Sequence, residues 1–176
     1  MIIYFLRHAN AGEHLENPKR DEKRALDQAG IEQCGHIGRA LAAVDAQVDI
    51  IISSPLKRAA QTAALVGNEM GYEGKLVLSD ALRPGAAFAE FRQLLDKYSR
   101  HEAVMVVGHN PNLSEFLGRY ISGNGCEAHL EMKKGAVARV ETMRGPAALQ
   151  WFMTPKIARS IYTAAADSSR PKTSRK

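Results

Sequence analysis

Three short apolar runs, separated by longer segments with helical periodicity, constrain the fold of this chain most strongly. The runs are IIYFL (2–6), VDIII (48–52) and AVMVV (103–107). They are rich in β-branched residues and nearly uninterrupted, whereas a strand with one solvated face alternates apolar and polar residues. We therefore expect three strands that are covered on both faces, as in a parallel sheet.

Helical periodicity fills the intervals between these runs. Apolar residues recur every three or four positions over 27–44, 54–70, 86–98 and 111–121. Shorter apolar runs predict further strands at 76–78, 136–143 and 148–153, the last two joined at Arg144–Pro146. Because strands alternate with helices, we predict an α/β three-layer sandwich with helices on both faces of a mostly parallel central sheet. The last two strands are expected to form an antiparallel edge.

A single domain accounts for the folded part of the chain. The 176 residues, 45% of them hydrophobic, can bury one core, and no repeat or linker divides them. We predict this domain over 1–163 and a basic, disordered tail over 164–176, where DSSRPKTSRK lacks apolar residues. The tail carries +3 of the formal net charge of +5. The remainder lacks the aromatic and basic pattern of a nucleic-acid-binding surface, so no nucleic acid is expected as a partner.

Targeting and metal-binding signals are lacking. No segment approaches the roughly 18 consecutive apolar residues of a membrane span, and no basic stretch precedes an apolar segment at the N-terminus. Cys34 and Cys126 are isolated and have no metal-ligand spacing. We therefore expect a cytoplasmic protein with reduced thiols and no membrane partner.

Basic side chains follow each of the three apolar runs. Arg7 and His8 come directly after the first run, Arg58 follows the second, and His109 follows the third. The carboxyl ends of parallel strands lie at one edge of a sheet, and ligands of α/β proteins bind there. We therefore expect these four side chains to meet in one site.

The second and third of these positions coincide with predicted helix starts. Ser54 is suited to cap a helix with Pro55 at its first position, and Asn110 and Pro111 repeat the arrangement. Arg58 then falls in the first turn of its helix. The N-terminus of a helix favours an anion, because its N–H groups are unpaired and its dipole is positive there.

Two arginines and two histidines, with no nearby run of acidic residues, are suited to bind a phosphoryl group. Guanidinium groups bind phosphate oxygens in pairs and stay charged. A neutral histidine can accept a phosphoryl group at nitrogen, and a protonated one can donate a hydrogen bond to it. Phosphoryl transfer chiefly needs positioning and neutralisation of charge. We therefore predict metal-free chemistry without a cofactor.

Five segments of the chain resemble the histidine phosphatase superfamily, which includes the phosphoglycerate mutases. Three of them, LRHANA (6–11), SSPLKRAAQTA (53–63) and VGHNP (107–111), match its motifs in order and spacing. The segments KRALDQAG (23–30), similar to the family's Arg-Pro-Leu-Thr…Gly, and WFMTP (151–155) extend the likeness from residue 2 to about 155. The short chain is most similar to the SixA-type phosphohistidine phosphatases.

This resemblance implies a role for each candidate site residue. His8 would be the nucleophile that becomes phosphorylated. Arg7, Arg58 and His109 would bind the transferring group, and water would then hydrolyse the phosphohistidine intermediate. Arg24, which matches the arginine of the Arg-Pro-Leu-Thr segment, is implied as a further substrate contact; otherwise it is a surface cation in a charged loop.

The chain departs from the family pattern beside the nucleophile and in its general acid. Ala9 stands where the family often has glycine, and Asn10 stands where many SixA-like chains have an acid. Larger family members supply a carboxylic acid from an insertion after the second arginine. Here that interval has no room for a long lid, and Asp80 and Glu90 are the nearest acid candidates.

The lack of a clear general acid favours phosphohistidine as the substrate. An alkoxide leaving group usually needs an acid at neutral pH. An imidazole protonated on its other nitrogen leaves as a neutral ring, and imidazolium has a pKa of only about 6.5. We therefore expect a phosphorylated protein as substrate, for example a histidine phosphotransfer domain in signal transduction.

Alternative functions remain open at this point. One is a small-molecule phosphomonoesterase that uses the same pocket with Asp80 or Glu90 as its acid. Another is a module that binds phosphoproteins without turnover. A nucleotide-binding α/β protein is disfavoured, because the sequence contains no glycine-rich phosphate loop. The sequence leaves the oligomeric state undetermined.

Overall fold

A computed structural model of the protein describes residues 1–122, 128–142 and 147–168, the last five of these in their backbone only. Cys126, the predicted connection at 144–146 and the end of the predicted tail lie outside the described residues. Cys34 is a free, buried thiol, and burial raises its pKa to about 12. None of the helices in the described ranges has the length and apolar character needed to cross a membrane.

A six-stranded sheet forms the centre of the protein. Its strands are β1 (Ile2–Arg7), β2 (Ile50–Ser53), β3 (Val77–Leu78), β4 (Ala103–Gly108), β5 (Val137–Glu141) and β6 (Ala148–Met153). The spatial order is β3-β2-β4-β1-β5-β6. The first four strands pair in parallel, and β5 and β6 pair antiparallel beside β1. The predicted mostly parallel sheet with an antiparallel edge is therefore confirmed.

Helices cover both faces of this sheet. They are α1 (Pro18–Glu22), α2 (Gln28–Ala43), α3 (Lys57–Glu69), α4 (Phe88–Lys97), α5 (Asn112–Ser122) and α6 (Pro155–Ser168), with a 3₁₀ turn at Asp80–Leu82. One apolar cluster joins α2, α3 and α6 to the sheet, and a second joins α4 and α5 to the opposite face. The three-layer architecture predicted from the sequence is confirmed.

Side chains of β1 alternate between these two clusters. Tyr4 and Leu6 belong to the cluster with α2, α3 and α6, whereas Ile3 and Phe5 belong to the cluster with α4 and α5. Phe5 packs against Phe91 of α4 with the ring centroids 5.6 Å apart. Because both faces of the strand are buried, β1 needs apolar residues at successive positions. This explains the uninterrupted run at the start of the sequence.

Several helix boundaries differ from those predicted. Helix α3 begins at Lys57 instead of the predicted Pro55, and α5 begins at Asn112 instead of the predicted Pro111. Neither α1 nor α6 was predicted. Helix α6 packs against α2 and continues through Ser168, five residues past the predicted end of the domain at 163. The tail over 169–176 stays a prediction.

Helix α2 packs tightly against the loop that follows β1. A Cβ atom added at Gly30 would lie 1.9 Å from the carbonyl oxygen of Asn10, which is backbone and cannot rotate away. The N–H of Gly30 donates a hydrogen bond to Oδ1 of the helix cap Asp27 at 2.8 Å. The glycine of the KRALDQAG segment is therefore required by close approach to the loop that carries His8.

We predict that Gly30→Ala destabilises the protein by about 1–3 kcal/mol, because the loop at Asn10 must move to admit the methyl group. Gly35→Ala is the matched control in the same helix, since no atom lies within 4 Å of its added Cβ. Alanine should stabilise the helix there by up to about 1 kcal/mol. Urea unfolding measures both variants, and equal effects of the two substitutions would contradict the packing argument.

Candidate active site

The carboxyl ends of β1, β4 and β2 meet at one edge of the sheet, because these strands are adjacent and parallel. The N–H of His8 donates to the carbonyl oxygen of Gly108 at 3.0 Å, and the N–H of Ser54 donates to that of Val107 at 2.9 Å. The three sequence motifs are thus joined by backbone hydrogen bonds just beyond the strands. This is the convergence that the sequence predicted.

His8 and His109 lie side by side in this site, with ring centroids 5.0 Å apart and an interplanar angle of 53°. Both residues are buried. Nδ1 of His8 lies 2.7 Å from the carbonyl oxygen of Ala9. A carbonyl oxygen only accepts, so Nδ1 carries the proton and Nε2 holds the lone pair. The nucleophilic atom available on His8 is therefore Nε2.

His109 is held by Ser54. Nε2 of His109 lies 2.9 Å from Oγ of Ser54, and this oxygen also accepts a hydrogen bond from the N–H of Leu56 at 3.4 Å. Leu56 is the capping position of α3, and it makes no side-chain capping bond. The predicted capping role of Ser54 is wrong, because Leu56 occupies the N-cap position of α3 and the hydroxyl of Ser54 lies against the imidazole of His109.

The two arginines of the site bind the protein through one terminal nitrogen each. Nη1 of Arg7 donates to the carbonyl oxygen of Met132 at 2.7 Å. Nη1 of Arg58 donates to the carbonyl oxygen of Asp21 at 3.0 Å and to its Oδ2 at 3.1 Å. Arg58 lies in the first turn of α3, as predicted. Each guanidinium thus has at least one protein contact that fixes its position.

Three buried side-chain nitrogens have no hydrogen-bond partner within the described part of the protein. They are Nε of Arg7, Nε of Arg58 and Nδ1 of His109. Buried polar groups are almost always paired, and one without a partner costs about 1–3 kcal/mol. All three atoms belong to residues predicted to bind a phosphoryl group. Such a group offers several acceptor oxygens, so its binding would satisfy them.

Burial and the neighbouring cations keep both imidazoles neutral in the free protein. Burial is the main cause that lowers the pKa of His8 to about 3; the charges of Arg58, Arg7 and Lys134 add to it, and the bond to Ala9 opposes it. Burial likewise lowers the pKa of His109 to about 2, with contributions from His8, Arg58 and Arg7. A neutral His8 has its lone pair available at physiological pH.

The sequence analysis missed a buried carboxylate, Asp21 in α1. Its Oδ1 accepts hydrogen bonds from Nε of Arg24 at 2.7 Å and from the N–H of Leu15 at 3.0 Å, and Nδ1 of His14 lies 3.0 Å away. Burial raises the pKa of Asp21, but these hydrogen bonds and the charges of Arg58 and Arg24 outweigh it and lower the pKa below its usual range. The spacing of Asp21 and Arg24, which places a cation three residues after the acid, is the only sequence signal for it.

Arg24 lies next to this carboxylate and binds the loop after β1. In addition to its bond to Asp21, Nη1 of Arg24 donates to the carbonyl oxygens of Ala11 at 2.7 Å and Gly12 at 3.3 Å. Two of its nitrogens are thus engaged with the protein. The predicted contact of Arg24 with the substrate stays a prediction.

Thr62 and Lys134 also bind the loop after β1 that carries His8, and neither residue was predicted as part of the site. The hydroxyl of Thr62 accepts a hydrogen bond from the N–H of Ala9 at 3.0 Å and donates to the carbonyl oxygen of Arg58 at 2.7 Å. Nζ of Lys134 donates to Oδ1 of Asn10 at 3.0 Å. Nδ2 of Asn10 donates to Oδ2 of Asp27 at 2.7 Å. An uncharged amide therefore occupies the position beside the nucleophile where many SixA-like chains have an acid.

The two candidate acids each have a partner within the protein. The side chain of Asp80 is 83% exposed and pairs with Arg83. Oε2 of Glu90 accepts a hydrogen bond from the N–H of Ala87 at the start of α4, at 2.8 Å. Among the residues whose side chains are described, no group of three or more His, Cys, Asp or Glu residues could hold a metal ion.

Comparison with known proteins agrees with this geometry. The model of the histidine phosphatase superfamily (branch 1) matches residues 3–84. The matched segment is just under half of the chain and includes Arg7, His8 and Arg58. A curated relative, the mitochondrial serine/threonine-protein phosphatase Pgam5 of Drosophila persimilis, is 36% identical over 85 residues. The chain spans 28% of the length of that relative, and the match covers 48% of the chain.

Solved structures of the superfamily share the whole fold. The protein histidine phosphatase SixA complexed with tungstate superposes with a TM-score of 0.78 at 21% identity, over 89% of this chain and 98% of the other. A structure assigned as phosphohistidine phosphatase SixA from Agrobacterium tumefaciens gives 0.75 at 26% identity, over 88% and 97%. The α-ribazole phosphatase of Shigella flexneri gives 0.69 at 17%, over 88% and 97%. The same fold is thus found in phosphatases that are described with different substrates.

We predict that the unfolding free energy decreases as the pH falls below about 6.5. His8 and His109 stay neutral when folded, whereas the unfolded chain protonates them with a pKa of about 6.5. The unfolded state therefore binds more protons between about pH 6 and 4, and each histidine lowers stability by up to about 1.4 kcal/mol per pH unit. Urea unfolding at several pH values measures the slope.

The control for this prediction is the double variant His8→Gln/His109→Gln. It lacks both buried imidazoles, so its unfolding free energy should depend less steeply on pH over the same range. An identical slope in the variant and the unmodified protein would show that the acid sensitivity arises elsewhere.

Proposed function

We propose that this protein is a phosphatase that works through a phosphohistidine intermediate on Nε2 of His8. The observation that carries the proposal is the set of three unpartnered nitrogens, on Arg7, Arg58 and His109, beside this lone pair. In the first step the Nε2–P bond forms and the bond from phosphorus to the leaving group breaks. In the second step water attacks phosphorus, the Nε2–P bond breaks and orthophosphate is released.

The surroundings of His8 suit it for this role. Nδ1–H of His8 donates a hydrogen bond to the carbonyl oxygen of Ala9, and this bond fixes the tautomer of the ring. The same bond stabilises the positive charge that the ring acquires when Nε2 takes up the phosphoryl group. The free site holds no excess proton, because burial, together with the neighbouring cations, lowers the pKa of both imidazoles. A bound phosphoryl dianion has the opposite effect, and it favours protonation of His109, which can then donate a hydrogen bond from Nδ1.

We infer that the protein's own side chains supply the positive charge that the reaction needs. Two guanidinium groups and a histidine can neutralise the spread charge of the phosphoryl group, and their fixed positions provide the alignment. In this proposal the reaction uses neither a metal ion nor a cofactor.

We propose phosphohistidine on a protein as the substrate. Asn10 is an amide, and the carboxyl groups of Asp21, Asp80 and Glu90 are each bound by donors of the protein, so none of these residues is free to protonate an alkoxide. An imidazole leaving group needs no such acid. The SixA-like structure from Agrobacterium tumefaciens, at 26% identity, supports the same substrate class. A cytoplasmic phosphorelay protein with a histidine phosphotransfer domain is the partner that this chemistry favours.

A phosphomonoesterase is the second candidate. The relative Pgam5 is described as a serine/threonine-protein phosphatase, and its 36% identity to this chain favours a phosphate ester as substrate. For such a substrate the leaving alkoxide would need a proton from solvent or from an acid such as Asp80, which is exposed.

We predict that His8→Gln lowers kcat by at least about a thousandfold, because glutamine cannot form the covalent intermediate. After incubation with a ³²P-labelled phosphohistidine peptide and rapid quenching, the unmodified protein should carry acid-labile label and release orthophosphate. The variant should do neither. Binding of the peptide without label transfer or orthophosphate release would instead indicate a phosphoprotein-binding module.

We further predict that the protein hydrolyses phosphohistidine peptides faster than matched phosphoserine peptides at pH 7, and that excess EDTA changes neither rate. The physical reason is the difference in leaving groups, since only the alkoxide needs a general acid. Steady-state assays of the two peptides, with and without EDTA, measure this. A preference for phosphoserine would favour the phosphomonoesterase, and a loss of activity in EDTA would contradict metal-free chemistry.

A further inference from the structure

A carboxylate outside the three family-like motifs contacts one of the two arginines of the site. We propose that Asp21 is a positioning residue for Arg58. By binding Nη1 of Arg58, Asp21 directs the Nε–H of this arginine towards the phosphoryl group. This inference rests on the proposed function. Asp21 lies in the five-residue helix α1, and Arg58 lies in the first turn of α3. The two residues are 37 positions apart in the sequence, and their side chains are each only 7% exposed.

The contact uses one nitrogen of Arg58 and two oxygens of Asp21. Nη1 of Arg58 donates to the backbone carbonyl oxygen at 3.0 Å and to Oδ2 at 3.1 Å. Two acceptors on one residue restrict rotation of the planar guanidinium. Its Nε is buried without a protein partner, and the same is true of Nε of Arg7 and Nδ1 of His109. The orientation of Arg58 that leaves Nε unpaired is thus the one that Asp21 stabilises.

Asp21 is itself held from the opposite side. Its Oδ1 is bound by Nε of Arg24, the N–H of Leu15 and Nδ1 of His14, whereas its Oδ2 is bound by Arg58. The carboxylate therefore cannot rotate freely when the substrate binds. Arg58 binds Asp21, Asp21 binds Arg24, and Arg24 binds the carbonyl oxygen of Ala11. The position of Arg58 is therefore linked to the backbone of the loop after β1.

A simpler role for Asp21 would be to offset the positive charge of the site. The two roles predict opposite results for Asp21→Asn, which removes the charge and keeps the shape. If Asp21 only offsets charge, the variant has a more positive site and binds an anion more tightly. If Asp21 positions Arg58, the guanidinium loses its orientation and the anion binds more weakly. The direction of the change distinguishes the two roles.

The experiment measures orthophosphate binding by isothermal titration calorimetry, which does not require turnover. We expect Asp21→Asn to raise the Kd by about tenfold, as for the loss of one charge-assisted hydrogen bond. The matched control is Glu22→Gln, the next residue of the same helix, which is exposed and pairs with Arg83. It removes the same charge, and the Kd should stay within about twofold. An unchanged or lower Kd for Asp21→Asn would overturn the proposal.

A double-mutant cycle tests whether Asp21 acts through Arg58. In an Arg58→Gln background, Asp21→Asn should produce no further increase in Kd, because the group that it orients is gone. An equal increase in both backgrounds would show a general structural effect and overturn the proposal. If His8→Gln still hydrolyses the substrate, the proposed function is wrong. The calorimetric test of Asp21 does not depend on that result, because it measures orthophosphate binding and not turnover.

A measurement on the unmodified protein covers the case in which Asp21→Asn does not fold. Restricted rotation of the Arg58 guanidinium should give separate ¹⁵N resonances for its two Nη atoms, and its Nε–H resonance should shift when orthophosphate is added. Averaged Nη resonances, or an Nε–H that does not respond to orthophosphate, would contradict the positioning role.

Discussion

The parallel pairing of β1, β4 and β2 determines where the functional residues of this protein meet. Parallel neighbours end at the same edge of a sheet, so motifs separated by about fifty to a hundred residues in the chain come within one backbone hydrogen bond of each other. The crossover helices α2 and α3 then cover one face, and α4 lies on the other. The site needs no separate scaffold, since the sheet that forms the core also aligns Arg7, His8 and His109.

The positive charges of Arg7 and Arg58 lie beside two buried histidines, and this arrangement determines the protonation state of the site. Burial and the cations around the two histidines lower the pKa of both imidazoles, so His8 is neutral in the free protein and has its Nε2 lone pair available for the proposed reaction. The same burial leaves nitrogens of Arg7 and Arg58 without partners. Both features reduce stability, and an anion at the site would relieve them. A site that is unfavourable without its ligand is therefore one that favours phosphoryl binding.

A second layer of contacts keeps these groups in place. Ser54 holds His109, Thr62 joins the nucleophile loop to α3, and Asp21 holds Arg58. Gly30 lets α2 approach the backbone of Asn10 closely enough to support the same loop. These residues come from four different segments. Each of them contacts a candidate site residue or the loop that carries His8. The orientations of His8, His109 and Arg58 therefore depend on the surrounding loops.

Local sequence patterns were sufficient to predict the architecture and to single out the four candidate site residues. Uninterrupted apolar runs identify strands buried on both faces, and the basic residues just beyond them identify the edge where a ligand would bind. The contacts of Ser54 and Asp21, the tautomer of His8 and the packing of α6 became evident from the folded structure alone. A hydroxyl after a strand is equally suited to cap a helix, and a carboxylate in a charged segment is usually solvated. Their actual roles depend on contacts with distant parts of the chain, and local periodicity carries no information about such contacts.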